Sequence, residues 1–147
     1  MTDDEFLRAF EECSLTRKEW THEAHVRMAW LYLTRMDSEK EVFERVRTGI
    51  QKLNAAFVTR ALLSCMRQAP KNPNLSGYHE TITVAFVTVI ASRIKSGEDF
   101  AAFRERNPDL FDRAFPALLK HYSPDRLHSA AARLEFIEPD LDPLPVV

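Results

Sequence analysis

Residues 22–36, HEAHVRMAWLYLTRM, decide the fold of this chain. Histidine and apolar side chains stand at positions 22, 25, 26, 29 and 33, which is the i, i+3, i+4, i+7 spacing of a helix with one buried face. Thr21 is a suitable N-cap for this helix, and Thr16 with Glu19 offers a competing capping box. The pattern predicts a helix that runs to about Arg35.

The sequence on either side of this segment predicts two more helices and a loop. A capping box at Thr2 starts a helix to about residue 13, and a second box at Ser38 starts a helix to about residue 54. Residues 55–66 are apolar enough to continue that helix. Residues 68–77, QAPKNPNLSG, contain two prolines and a glycine and are predicted to form a loop.

The second half of the chain is also predicted to be helical. Residues 78–97 are rich in β-branched side chains, which is compatible with a strand, but their length and the Ser96-Gly97 end favour a buried helix. Shorter helices are expected within residues 98–107, 109–122 and 124–136, the last with Pro124 at its first position. The Pro-rich residues 137–147 are expected to form an extended tail over the bundle.

These predictions add up to an all-α fold in one domain, residues 1–147, with about five to seven helices in a compact bundle. Only 3 glycines occur in 147 residues, which disfavours a β-rich fold and leaves no Gly-rich phosphate loop. The net charge of −2 and the scattered basic residues argue against a nucleic-acid partner. No apolar run has the roughly 18 residues that a membrane span needs. Two cysteines without CxxC spacing and an acidic first segment lead us to expect a cytoplasmic protein.

Three of the 5 histidines share the same setting, the first turn of a helix that continues as an apolar segment. At about 100° per residue, His22 and His25 lie about 60° apart on the buried face of their helix. His79 lies on the same side of its own helix as Ile82 and Phe86. If the two helices are neighbours that start at the same end of the bundle, the three imidazoles converge.

A convergent set of His22, His25 and His79 is the ligand set of a divalent transition metal such as Zn, Fe, Ni or Cu. A helix N-terminus disfavours imidazolium and so keeps each ring neutral and able to bind. Glu23 and Glu80 follow histidines directly and would lie at the rim of such a site, where a carboxylate can act as a general base. Trp20, Trp30 and Tyr78 would shape the pocket. On this hypothesis the protein is a metal-dependent enzyme that acts on a small molecule.

A structural interpretation explains the same residues without a metal. With Thr21 as N-cap, Trp20 and His25 occupy the positions of a hydrophobic staple, and with Gly77 as N-cap, Glu80 occupies the capping-box position. The chain would then be a non-enzymatic helical module that binds a protein or a small ligand, or that dimerises through an exposed aromatic face. The residues themselves leave both interpretations open, and with them whether the protein is an enzyme.

Four stretches together resemble a family of small bacterial all-helical proteins with WTHxAH and GYHETIT motifs: WTHEAHVRMAWLYL at residues 20–33, GI..LN at 49–54, GYHETIT at 77–83 and EPDLDPLP at 138–145. The resemblance covers most of the chain. It implies a helical fold and no particular activity. The chain departs from the expected pattern at residues 55–76, which are longer than the short loop expected between the second and third stretches.

Overall fold

The computed structural model describes residues 1–65 and 77–146, and every regular element within these ranges is helical. The described helices are α1 (Asp3–Glu11), α2 (His22–Arg35), α3 (Glu39–Cys65), α4 (Glu80–Arg93), α5 (Phe100–Arg106), α6 (Pro116–Leu119), α7 (Pro124–Leu127) and α8 (Ala130–Leu134), with a 3₁₀ turn at Pro108–Leu110. The first five of these have seven residues or more. The predicted all-α fold is confirmed. None of the described helices combines the length and apolar character needed to cross a membrane.

The first two helices start where local side chains satisfy the free N–H groups of the first turn. Thr2 and Glu5 form both hydrogen bonds of the predicted capping box at α1. The Thr21 hydroxyl accepts from the N–H of Ala24 at the start of α2. Thr16 and Glu19 bond each other's backbone N–H groups as predicted, but they close a separate turn before α2.

The middle of the chain differs from the predicted boundaries. Helix α3 does not end near residue 54 but continues to Cys65, as the apolar residues after position 54 allow. Of the predicted loop at 68–77, only Gly77 falls within the described residues. Helix α4 is shorter than the predicted 78–97, and its N-cap is His79, not Gly77.

The predicted helices of the C-terminal third are broken into shorter pieces. Residues 109–122 do not form one helix, because Pro116 occupies the first position of α6 and the chain turns before it. Residues 124–136 divide into α7 and α8, since the Ser129 hydroxyl caps a new helix by accepting from the N–H of Ala132. Each interruption coincides with a residue that ends or starts a helix.

One hydrophobic core holds these helices together. Helix α2 packs against α1, α3 and α4, and α4 also packs against α6 and α8. The largest fully buried side chains come from almost every part of the described chain and include Phe10, Leu15, Met28, Leu53, Ile90, Phe103 and Tyr122. Because α2 and α4 are neighbours, their N-terminal residues can line a common space.

The tail after α8 has no regular secondary structure and is fixed by hydrogen bonds to buried side chains, as the extended-tail prediction requires. The fully buried Thr81 hydroxyl donates to the carbonyl of Glu135 (2.9 Å) and accepts from the N–H of Ile137 (3.2 Å). The Tyr122 hydroxyl donates to the carbonyl of Ile137 (2.7 Å). The bonds of Thr81 tie the tail to α4, which carries one side of the site, and the bond of Tyr122 ties it to the segment between α6 and α7.

Gly49 lets α1 approach α3, and its substitution should be costly. A Cβ at this position would lie 2.4 Å from the ring of Phe10, which is only 1% exposed and cannot easily move. Gly49→Ala is therefore expected to lower the free energy of unfolding by about 1–2 kcal/mol, although alanine is the better helix former. Chemical denaturation of this variant and of Thr48→Ala, an exposed control on the same helix, measures the effect. A Gly49→Ala protein as stable as the control would contradict this packing.

Candidate functional site

A cavity of about 460 Å³ lies between α2, α3 and α4 and extends to the turn before α6. Most of the lining side chains are apolar, among them Val26, Met28, Ala29, Val46, Ile50, Ile82, Phe86, Val87, Ile90 and Phe115. The polar lining groups are the three predicted histidines, Tyr78, Thr83 and Arg113. The volume falls within the range of about 300–1,000 Å³ that is usual for small-molecule pockets.

All three histidines predicted to converge line this one cavity. His22 and His25 come from the first turn of α2, and His79 immediately precedes α4. Their hydrogen bonds differ, so their chemical capacities differ as well.

His25 is held against its own helix and keeps one ring nitrogen available. Its Nδ1–H donates to the carbonyl of Thr21 (2.7 Å), and its ring stacks on Trp20 with centroids 3.9 Å apart. This is the predicted hydrophobic-staple pair. Burial, with a smaller contribution from the nearby His22, lowers the pKa of His25 to about 4. The ring is therefore neutral at pH 7, and Nε2 has a lone pair with no partner among the described residues.

His22 links the start of α2 to the C-terminal part of the chain. Its Nε2 lies 2.8 Å from the carbonyl of Leu110 and must carry the proton, because a carbonyl only accepts. The ring packs edge-on against Phe86 and also contacts Phe115. In its neutral form His22 thus offers Nδ1 as a hydrogen-bond acceptor that no described residue occupies.

His79 uses both of its ring nitrogens in the fold. Its Nδ1 accepts from the N–H of Ile82 (3.1 Å) and so caps α4, while Nε2–H donates to the carbonyl of Leu127 (2.7 Å). Burial lowers the pKa of His79, which favours the neutral ring that this pair of bonds requires. His79 is therefore a structural link between α4 and α7.

The fit of a metal ion to the three histidines can be judged from these bonds. A ring nitrogen needs a free lone pair to bind a metal, and that of His79 is already shared with the N–H of Ile82. His79 does not fit a three-histidine metal site unless it gives up the cap of α4. Among residues 1–65 and 77–146, no group of three or more His, Cys, Asp or Glu side chains is arranged to hold a metal ion.

The two carboxylates predicted as catalytic do not line the cavity. Glu23 forms an ion pair with Arg104 of α5. Glu80 accepts three hydrogen bonds from the guanidinium of Arg47, at 2.7 and 2.8 Å to Oε1 and 2.9 Å to Oε2, and another from the Tyr78 hydroxyl to Oε2 at 3.2 Å. His22 and His79, which directly precede Glu23 and Glu80, line the cavity. Because successive side chains on a helix point about 100° apart, both carboxylates are directed away from it.

The predicted pocket aromatics divide into two groups. Trp20 and Tyr78 line the cavity, as predicted, whereas Trp30 does not. Trp30 packs instead against Phe100 and Phe103 of α5, with ring centroids 5.5 and 6.3 Å away. Tyr78 donates its hydroxyl proton to Glu80, and burial raises its pKa to about 12. Tyr78 therefore stays protonated and adds no charge to the cavity.

Arg113 is a lining residue that the sequence analysis missed. It belongs to a β-turn in which the N–H of Phe115 donates to the carbonyl of Asp112 (3.1 Å). Phe115 follows with a left-handed φ of 58°, an uncommon conformation for a bulky residue, and Pro116 then starts α6. The sequence signal for this turn is Pro116, which the predicted helix over residues 109–122 places in its interior.

Comparisons of this chain with protein-family models, with curated proteins and with solved structures find no match in any of the three.

Proposed function

We propose that this chain is a small-molecule-binding protein whose ligand combines an apolar body with a hydrogen-bond donor. The observation that carries the proposal is a largely apolar cavity of about 460 Å³ lined by two histidines, each with one ring nitrogen that has no partner among the described residues. The apolar side chains favour a ligand with apolar surface, because binding removes that surface from water. The histidine nitrogens favour a ligand that donates a proton.

The hydrogen bonds that orient the His22 and His25 rings favour a ligand with a hydrogen-bond donor. Nε2–H of His22 and Nδ1–H of His25 are each tied to a backbone carbonyl, so rotation of either ring would break a bond of 2.8 or 2.7 Å. The nitrogens left for a ligand are therefore acceptors. A ligand without a donor would remove water from them and leave them unpaired, at a cost of about 1–3 kcal/mol for a buried acceptor.

This function also assigns separate roles to the histidines. His79 holds α4 in place, His22 holds the Leu110 turn and offers a second acceptor, and His25 is free to act toward the ligand. Within the described residues, the His25 ring forms one hydrogen bond, to the carbonyl of Thr21, and this carbonyl also accepts from the His25 N–H, so replacement of the ring removes little from the fold.

Two isomeric probes test the proposal, p-cresol with a hydroxyl donor and anisole without one. We expect calorimetric titration to give p-cresol the higher affinity by about fivefold, the value of one net hydrogen bond. In His25→Phe, which keeps an aromatic ring beside Trp20, the preference for p-cresol should fall, because only the second acceptor, Nδ1 of His22, remains. His128→Phe is the matched control, because His128 is exposed and does not line the cavity.

The possible results separate this proposal from its alternatives. No binding of either probe, or an equal preference for p-cresol in the wild type and in His25→Phe, would overturn it. Zn²⁺ retained in a one-to-one ratio after dialysis, and lost from His25→Phe, would instead favour the metal-dependent enzyme.

A further inference from the structure

We infer that the natural ligand is an organic anion, with its apolar part in the cavity and a carboxylate or similar group at Arg113. This inference rests on the proposed function and specifies the chemical class of its ligand. It comes from the charges that line the cavity and from the way in which Arg113 is held there.

Among the described residues that line the cavity there is one permanent charge, and it is positive. It belongs to Arg113, and no described Asp or Glu lines the cavity. Residues 66–76 and Val147, which lie outside the described ranges, contain no Asp or Glu either, so they cannot add an acidic side chain. Arg113 forms no ion pair with the described residues, whereas Glu23, Glu80 and Asp109 are each paired with another arginine.

Asp112, the nearest acidic residue along the chain, forms hydrogen bonds within the turn and is not paired with Arg113. Its carboxylate accepts from the N–H of Ala114 (2.9 Å) and its carbonyl accepts from the N–H of Phe115 (3.1 Å). These two bonds fix the turn that carries Arg113 at the edge of the cavity. The backbone of Arg113 therefore has a defined place, while its guanidinium donates no hydrogen bond to the described residues and is open to a ligand.

The N-termini of α2 and α4 also favour an anionic ligand in the cavity. The N-termini of α2 and α4, each 14 residues long, both begin at the cavity, and a helix N-terminus carries a partial positive charge. Glu23 and Glu80 in the first turns do not compensate for this inside the cavity, because each is paired with an arginine outside the lining. An anion is thus favoured by Arg113 and by two helix ends, and a cation is disfavoured by all three.

Three probes that share a 4-hydroxyphenyl group test the charge alone: 4-hydroxyphenylacetate, its neutral amide, and the cation tyramine. We expect the acid to bind about fivefold more tightly than the amide, a modest factor because Arg113 is exposed, and tyramine to bind least. In Arg113→Gln the acid should lose most of its advantage over the amide and keep only the small part that the two helix N-termini supply, while the affinity of the amide stays unchanged. Arg8→Gln, an exposed arginine that does not line the cavity, is the control and should behave as the wild type.

The outcomes distinguish failure of this inference from failure of the proposed function. If the amide binds and the acid binds no better, or if Arg113→Gln keeps the full wild-type preference for the acid, the ligand is not selected by the charge of Arg113 and the inference is overturned. If none of the three binds, the small-molecule function itself fails, and the charge inference fails with it. A preference for the acid that declines with added salt in the wild type and is much smaller in Arg113→Gln supports it.

Discussion

Replacing His79 by alanine is expected to lower the free energy of unfolding by about 3 kcal/mol, the largest effect of any histidine in this chain. One part of the loss is the N-cap of α4, since the N–H of Ile82 loses the ring nitrogen that accepts from it. Removal of an N-cap costs about 0.5–2 kcal/mol. The other part is the carbonyl of Leu127, a fully buried residue, which loses the Nε2–H donor 2.7 Å away.

Two further variants separate these contributions in urea denaturation. His79→Asn keeps an N-cap but is too short to replace the bond to Leu127, so it should recover about half of the lost stability. His128→Ala changes an exposed histidine and should stay within about 0.5 kcal/mol of the wild type. A His79→Ala protein that is as stable as His128→Ala would mean that the imidazole does not hold α4 and α7 together, and would reopen its assignment as a metal ligand.

The sequence predicted that the histidines could meet but not what each would do there. Helical periodicity places His22, His25 and His79 on buried faces, but their convergence also needs the two helices to be neighbours that start at the same end of the bundle, which local patterns do not determine. The hydrogen bonds that distinguish the three rings end on the carbonyls of Leu110 and Leu127, which lie 88 and 48 residues away along the chain. No local pattern encodes such partners. The N-cap role of His79 was missed for a different reason, because histidine is not among the preferred N-cap residues.

Arg113 and the helix breaks of the C-terminal third show how local signals compete. Residues 109–122 have enough apolar and helix-forming residues to predict one helix, but Pro116 starts a new one and leaves the preceding residues in a turn. That turn is what brings Arg113 to the cavity. The charged residue at the edge of the site thus comes from a segment that periodicity assigned to the middle of a helix.

Stability should fall as the pH is lowered from 6.5 toward 4, and His25 should account for a large share of the fall. Burial lowers the pKa of His25 from its ordinary value of 6.5 to about 4, so in this window the unfolded chain binds a proton at His25 that the folded protein does not. Proton uptake by the unfolded state favours unfolding as the pH falls. The contribution of His25 to the free energy of unfolding is complete above pH 6.5. Below that pH it declines by about 1.4 kcal/mol per pH unit, and at pH 4 up to about 3 kcal/mol has been lost.

The His25→Phe variant isolates this contribution, because phenylalanine can stack on Trp20 but has no proton to bind. Between pH 7 and pH 5 the wild type should lose about 2 kcal/mol more unfolding free energy than the variant. His79, whose pKa burial also lowers, is present in both proteins and cancels in the comparison. Carboxylates such as Asp109, whose pKa the Arg93 guanidinium holds below its usual range, act mainly at lower pH and cancel as well. Parallel stability curves for the two proteins would mean that His25 binds its proton as readily in the fold as in the unfolded chain, and a ring that charges so readily would not serve the cavity as a neutral acceptor near pH 6.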